Sequence, residues 1–322
     1  MPDWRFWAPL PDSHVPPAPF GGHYKRTPDT RKHADRDVIA KFPQSEWCLQ
    51  NPVAETAPAP HPTACTLRVT DEIVCKDGHG AQILLYHLDQ DYEKVYVAKI
   101  YDPLYYPFVD KEFNQEAAAY EELRKAGVDG LLVPKYYGSW MINIALENPN
   151  VLRPVRMILM EWIQGVSMQS LITANVSWFS SAQRLSIFAR AMEVEAKVRF
   201  HGVYHKDFAP RNVLLVGPSP ETQTPRVFLI DFNQSLVFSQ PHAQFCNYKS
   251  TKPISPRCLY WGQCPDEFWH WLPEPHRSKD PVFNEWLKST WSQLKDFEEP
   301  EDMLKRLEED NEADSSDEEE SD

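Results

Sequence analysis

Between Leu67 and Ile100 apolar and polar residues alternate around turn signals, as in Ile83-Leu84-Leu85-Tyr86 and Val95-Tyr96-Val97-Ala98-Lys99-Ile100. A two-residue period of this kind predicts strands joined by short loops. A helical segment follows at 111–126, closed by Gly127, and two further strand-like runs lie at 131–140 and 156–163. After Gly165 the period lengthens. Leu185, Phe188 and Met192 form one stripe, and Ile187, Ala191, Val194 and Val198 form a second beside it. Two adjacent stripes predict a helix over 182–200 buried on a wide face, with Gly202 to end it. Short strands are expected at 213–216 and 227–231. The first half therefore reads as a small sheet-rich lobe with one helix, and the second as mainly helical with a small strand pair. No internal repeat is visible.

The flanks differ from this body. Residues 1–62 hold 12 of the 29 prolines, which interrupt helix and sheet bonding, so 1–64 is read as an extended arm. Trp4, Phe6, Trp7, Phe20 and Trp47 make it too aromatic for an inert linker, and residues 25–41 carry six basic side chains against three acidic ones. The 322-residue chain has a net charge of -14, of which 14 acidic and 2 basic side chains at 298–322 account for nearly all. Residues 297–322 are thus expected to be an acidic, disordered tail on a near-neutral body, with Ser315 and Ser316 placed before an acidic run. Such a charge distribution repels phosphate backbones and argues against nucleic acid as a partner.

A hydrophobic content of 42% and an aromatic content of 12% suffice for a sizeable core. Six cysteines without a Cys-x-x-Cys pair argue against a disulfide scaffold, and His242, Cys246, Cys258 and Cys264 lack the close pairs of structural zinc sites. With no leader-like stretch and no run of 18 apolar residues, the chain is expected to be soluble and intracellular, cytoplasmic or nuclear, with no membrane partner.

Candidate chemistry gathers at three places. The segment from Val203 to Leu215 puts His205, Asp207, Arg211 and Asn212 on a loop held between a buried helix and a strand, an arrangement that can aim side chains. Asp231 follows the apolar run Val227-Phe228-Leu229-Ile230, where a buried carboxylate needs a partner such as Mg²⁺, which demands hard oxygen ligands. Upstream, alternation puts Lys99 on the face of Val95 and Val97. In the next helix Glu116 falls into the stripe of Phe113, Tyr120 and Leu123, so it needs an opposite charge, and Lys99 is the natural candidate.

Taken in order, Val97-Ala98-Lys99, Glu116, Met160-Glu161-Trp162-Ile163, His205-x-Asp207-x-x-x-x-Asn212 and Asp231-Phe232-Asn233 resemble the divergent, fungal-type protein-kinase-like family over about residues 67–290. The resemblance implies an α+β, bilobal protein-kinase-like fold, with an antiparallel-sheet N-lobe at 65–165 and a mainly helical C-lobe at 166–296. It implies ATP and Mg²⁺ as cofactors. Asp207, Lys99, Glu116 and Arg211 would be catalytic, Asn212 and Asp231 metal ligands, and Gly78, Gly80, Lys99, Met160, Glu161, Trp162 and Ile163 nucleotide-binding. Asp207 would take the acceptor proton.

Departures from the family pattern are equally specific. Gly78-His79-Gly80 offers two glycines where the phosphate-covering loop has three, Asn233 replaces the last glycine of Asp-Phe-Gly, and no Ala-Pro-Glu segment follows. A protein kinase is the favoured expectation. A small-molecule kinase of the choline or aminoglycoside type and a pseudokinase scaffold are the alternatives. The aromatic group Trp261, Phe268, Trp269, Trp271, Trp286 and Trp291 is expected either to line an acceptor surface or to form the base of the second lobe.

Overall fold

A computed structural model describes residues 14–15, 65–75, 81–88, 91–102, 109–145, 152–218, 225–240, 243, 250–305 and 307. The structure is mixed α and β, and it divides into two compact units. The first comprises Met1–Ile163 with Asp231–Ser235, and the second Gln164–Ile230 with Leu236–Asp322. Most of the proline-rich arm, the Gly78-His79-Gly80 loop, the serines of the acidic run, His242 and Cys246 lie outside the described residues.

The first unit is built on an antiparallel sheet of β1 (His14–Val15), β2 (Cys65–Val74), β3 (Gln82–Leu88), β4 (Asp91–Tyr101), β5 (Tyr136–Ala145) and β6 (Leu152–Glu161), in the order β1-β2-β3-β4-β6-β5. Strand β4 is central, and Lys99 registers with Ile83 on one side and Ile158 on the other. Both faces of β4 are buried. Tyr96, Ala98 and Ile100 point into a core with Leu84, Tyr86, Trp140, Met157 and Leu159. Lys99 shares the opposite face with Val97 and Tyr101, and that face is covered by α1 (Val109–Lys125). This apolar cluster is on the side Lys99 does not occupy. Helix α1 can approach the sheet closely because Ala117, Ala118 and Ala119 add little bulk and are strong helix formers.

Two boundaries differ from the expected ones. Strand β5 starts at Tyr136 rather than 131, because Gly130 turns the chain at φ +80° and Leu131 is exposed. Strand β6 ends at Glu161, which leaves Trp162 and Ile163 beyond it.

The second unit holds β7 (Val166–Ser167), α2 (Met168–Asn175), α3 (Ser181–Phe200), β8 (Val203–Tyr204), β9 (Val213–Pro218), β10 (Pro225–Leu229), β11 (Leu236–Val237), α4 (Pro256–Tyr260) and α5 (Asp280–Trp291). It carries more strand than expected: β10-β9-β7 form a three-stranded sheet and β11-β8 a pair. A two-residue strand such as β7 is too short to show a period. There Gly165 is required by space, since a Cβ would come within 2.8 Å of the Leu215 carbonyl oxygen. Helix α3 starts where the chemistry favours it. The Ser180 hydroxyl accepts from the Gln183 N–H at 3.3 Å while the Gln183 side chain accepts from the Ser180 N–H at 2.9 Å. Both apolar stripes are buried, with Phe188 ringed by Phe268 and Trp286. Trp271 and Trp291 are buried too, so much of the aromatic group is core of this unit.

The first residues of the stretch expected to be an acidic tail are packed. Phe297 and Leu307 are buried, Glu298 accepts from the Thr251 N–H at 2.8 Å, and Glu299 pairs with Arg257 at 3.1 Å. Charge density hid the two apolar anchors. Among the described residues no helix is long and apolar enough to cross a membrane.

Candidate active site

Two constellations carry the candidate chemistry, one in each unit. In the first, Lys99 Nζ lies 2.5 Å from Glu116 Oε2 and 2.7 Å from Asp231 Oδ1. The Lys99–Glu116 pairing is the one the helix stripe required. Glu116 is 0% exposed and also takes the Tyr101 hydroxyl and, at 3.4 Å, the Phe232 N–H. Phe232 is itself pinned edge-on against Tyr120, with centroids 5.2 Å apart. Burial alone would lower the pKa of Lys99, but the two carboxylates outweigh it and hold the ammonium well above its usual range. For Glu116 burial wins over Lys99 and raises the carboxyl above its usual value.

Sequence reasoning missed two neighbours. Tyr101 is two residues from Lys99 on the same strand, and Glu112 is one turn before Glu116 on the same helix, so both were within reach of the periodicity argument. Glu112 is bonded to Asn233, and burial, opposed by Lys99, raises its carboxyl. Lys99 thus answers the carboxylates of Glu112, Glu116 and Asp231 together, and negative charge is in excess.

In the second unit the loop after β8 is tied down by His205, which is fully buried. Its Nδ1 accepts the Asp207 N–H at 3.3 Å, so the proton resides on Nε2, which donates to the Ile230 carbonyl at 2.9 Å. Asp207 Oδ1 is 2.5 Å from Arg211 Nη2, and Oδ2 accepts from Asn212 Nδ2 at 2.8 Å. The same Asn212 amide donates to the Asp207 carbonyl at 2.9 Å. Its Oδ1 has no protein hydrogen bond among the described residues. Arg211 reaches further, to Glu267 at 3.0 Å, a partner no motif foretold.

Backbone strain marks both places. Among the described residues the non-glycine positions at positive φ are Lys206 (φ 63°) and Asp231 (φ 66°). One directly precedes Asp207 and the other bears the carboxylate on Lys99. Left-handed geometry costs a non-glycine residue roughly 1–3 kcal/mol and persists where surrounding structure enforces it, commonly at functional sites. Asn233, which stands where the family pattern has glycine, is not at positive φ; the turn is made at Asp231, which also lies two residues past the end of β10 rather than on it.

The remaining expected residues fall as follows. Met160 is buried in β6, and the Glu161 N–H is spent on the Lys135 carbonyl at 2.8 Å. Trp162 and Ile163 are half-buried, with backbone groups in no backbone hydrogen bond among the described residues. Gly78 and Gly80 lie outside the described residues. No group of three or more His, Cys, Asp or Glu side chains converges as a metal cage among the described residues.

No family model matches the chain, and no curated protein does. A solved structure described as "WaaP in complex with acyl carrier protein" is similar at 18% identity and a TM-score of 0.35, covering 52% of this chain and 63% of that one. A likeness of that size carries no argument, and the geometry stands by itself.

Proposed function

We propose that this chain is an ATP- and Mg²⁺-dependent phosphotransferase of the protein-kinase-like superfamily that acts on protein hydroxyl groups. One observation carries the reading: a buried lysine clamped between a helix glutamate and an aspartate in left-handed backbone conformation. An ammonium fixed at this depth is placed to meet phosphate oxygens, and the surplus of carboxylates around it favours a divalent cation.

The donor chemistry fits magnesium. Asp231 offers a carboxylate whose side chain is 36% exposed, and Asn212 an amide oxygen without a protein hydrogen bond among the described residues. Magnesium held by donors of this kind would neutralise charge developing on the transferred phosphoryl group. The open backbone groups of Trp162 and Ile163 suit the hydrogen-bonding edge of adenine. Asp207, held by Arg211 and Asn212, keeps lone pairs to orient an acceptor hydroxyl and take its proton. Arg211 steers that carboxylate and stands ready to cover the phosphate. Protein is assigned as acceptor on the resemblance of the ordered motif set.

A labelled γ-phosphate transfer assay over protein and metabolite pools tests this, with Asp207→Asn as control. The variant should retain fold and nucleotide binding and lose roughly a hundred- to ten-thousand-fold in rate. Transfer at the parental rate would falsify the role of Asp207, and label in metabolites alone would overturn the protein acceptor.

A further inference from the structure

The second unit contains a cavity of about 580 Å³ that neither Asp207 nor Asn212 lines. That volume suits a small organic ligand. Its wall includes Glu195, Arg199, Tyr204, Tyr260, Asp266 and Trp269. Glu195 decides its character. It sits on the buried side of α3, 2% exposed, and accepts the Tyr260 hydroxyl at 3.1 Å. Among the described residues it forms no direct ion pair, and the positive charge that acts on it, through space, is that of Arg199.

The cations nearby are already committed. Arg199, one turn along the helix, lies over the Tyr204 ring at 4.6 Å. Arg277, also on the wall, pairs with Glu274 at 2.5 Å and lies 5.7 Å from the Trp269 ring centre. Against them stand Glu195, Asp266 and Asp280. A buried carboxylate with no cation in direct contact is costly, and aromatic rings attract positive charge through their faces. Trp269 is 42% exposed, an expense of apolar surface that a bound group would recover. An inorganic ion finds no cage of three or more ligands here among the described residues. The fitting ligand has both a charge for Glu195 and an apolar body for the rings.

We propose that this cavity binds an organic ammonium or guanidinium cation, supplied either as a free small molecule or as the side chain of a basic residue in a peptide. The site is independent of phosphate transfer and stands or falls separately from it.

The test is titration of the full chain with n-butylguanidinium chloride, followed by calorimetry and tryptophan fluorescence at constant ionic strength, with n-butanol and sodium butyrate as neutral and anionic controls. Saturable binding of the guanidinium alone is expected. Glu195→Gln should weaken it at least about tenfold, equivalent to about 1.4 kcal/mol. Trp269→Ala should weaken it several-fold and remove most of the fluorescence change. Thermal melting of Glu195→Gln at or above the parental temperature ensures that any loss is not unfolding. A second arm compares acetyl-Gly-Arg-Gly-amide with n-butylguanidinium: tighter binding of the peptide assigns the side-chain source, and equal or weaker binding the free cation. Absence of saturation, equal binding of butanol or butyrate, or unchanged affinity in Glu195→Gln overturns the proposal.

Discussion

Glu116 in α1 and Glu195 in α3 are withdrawn from water to nearly the same degree, yet their surroundings answer them differently. Glu116 meets an ammonium, a phenol and a backbone N–H, and Glu195 meets one phenol, with Arg199 acting only through space. In both, burial raises the carboxyl above the usual 4.5. Burial sets the cost of the charge, while the partners decide whether the group is fixed in place or open to a ligand. The first pattern pins a lysine, the one to which the proposed function gives the phosphate. The second leaves a carboxylate facing a cavity.

The largest expected effect comes from removing the fixed partner. Lys99→Met leaves Glu116 and Asp231 without their ammonium and should cost about 3–5 kcal/mol in a urea melt, besides abolishing transfer. Lys99→Met with Glu116→Met should recover much of that loss. Strictly additive losses in this double-mutant cycle would break the contrast between the two glutamates.

Next in size, Tyr260→Phe takes away the hydroxyl that solvates Glu195 and should destabilise by about 1.5–3 kcal/mol at neutral pH. Well below pH 4.5, where Glu195 is protonated in both folded and unfolded chains, the penalty should shrink.

A smaller effect, of opposite sign, is expected for Glu195→Gln. A carboxyl raised by burial contributes stability that is complete below its unfolded value of 4.5 and is lost as pH rises through the higher folded value. The glutamine variant lacks that decline, so its stability relative to the parent should increase from pH 4.5 towards neutrality. Chemical denaturation across that range measures it, and parallel pH profiles would show that Glu195 is compensated after all. Smallest for stability is Arg211→Ala. The guanidinium is half exposed between Asp207 and Glu267, and its loss should change stability by no more than about 1 kcal/mol while lowering transfer.

Much of this was legible in the sequence where local chemistry and pattern agree. Helix α3 is announced by Ser180, Gln183 and two apolar stripes, and strand β4 by its alternation. The Lys99–Glu116 pair followed from one rule, that a charge inside an apolar stripe seeks its opposite. Residues far apart in the chain were harder. Glu267 reaches Arg211 across 56 positions, and Glu195 reaches Tyr260 across 65, with no motif to join them. Strand β7 is too short for any period, and the acidity after Phe297 masked the packing of that ring.

The segment Asp231–Ser235 is grouped with the first unit although its chain neighbours on both sides belong to the second. No single scission of the gene can therefore yield either unit intact. A fragment ending at Ile163 would forfeit the Asp231 carboxylate on Lys99 and the Phe232 ring on Tyr120. Attempts to express the two halves apart would need those five residues returned in trans, as a peptide whose capture reports whether the lysine pocket has been rebuilt.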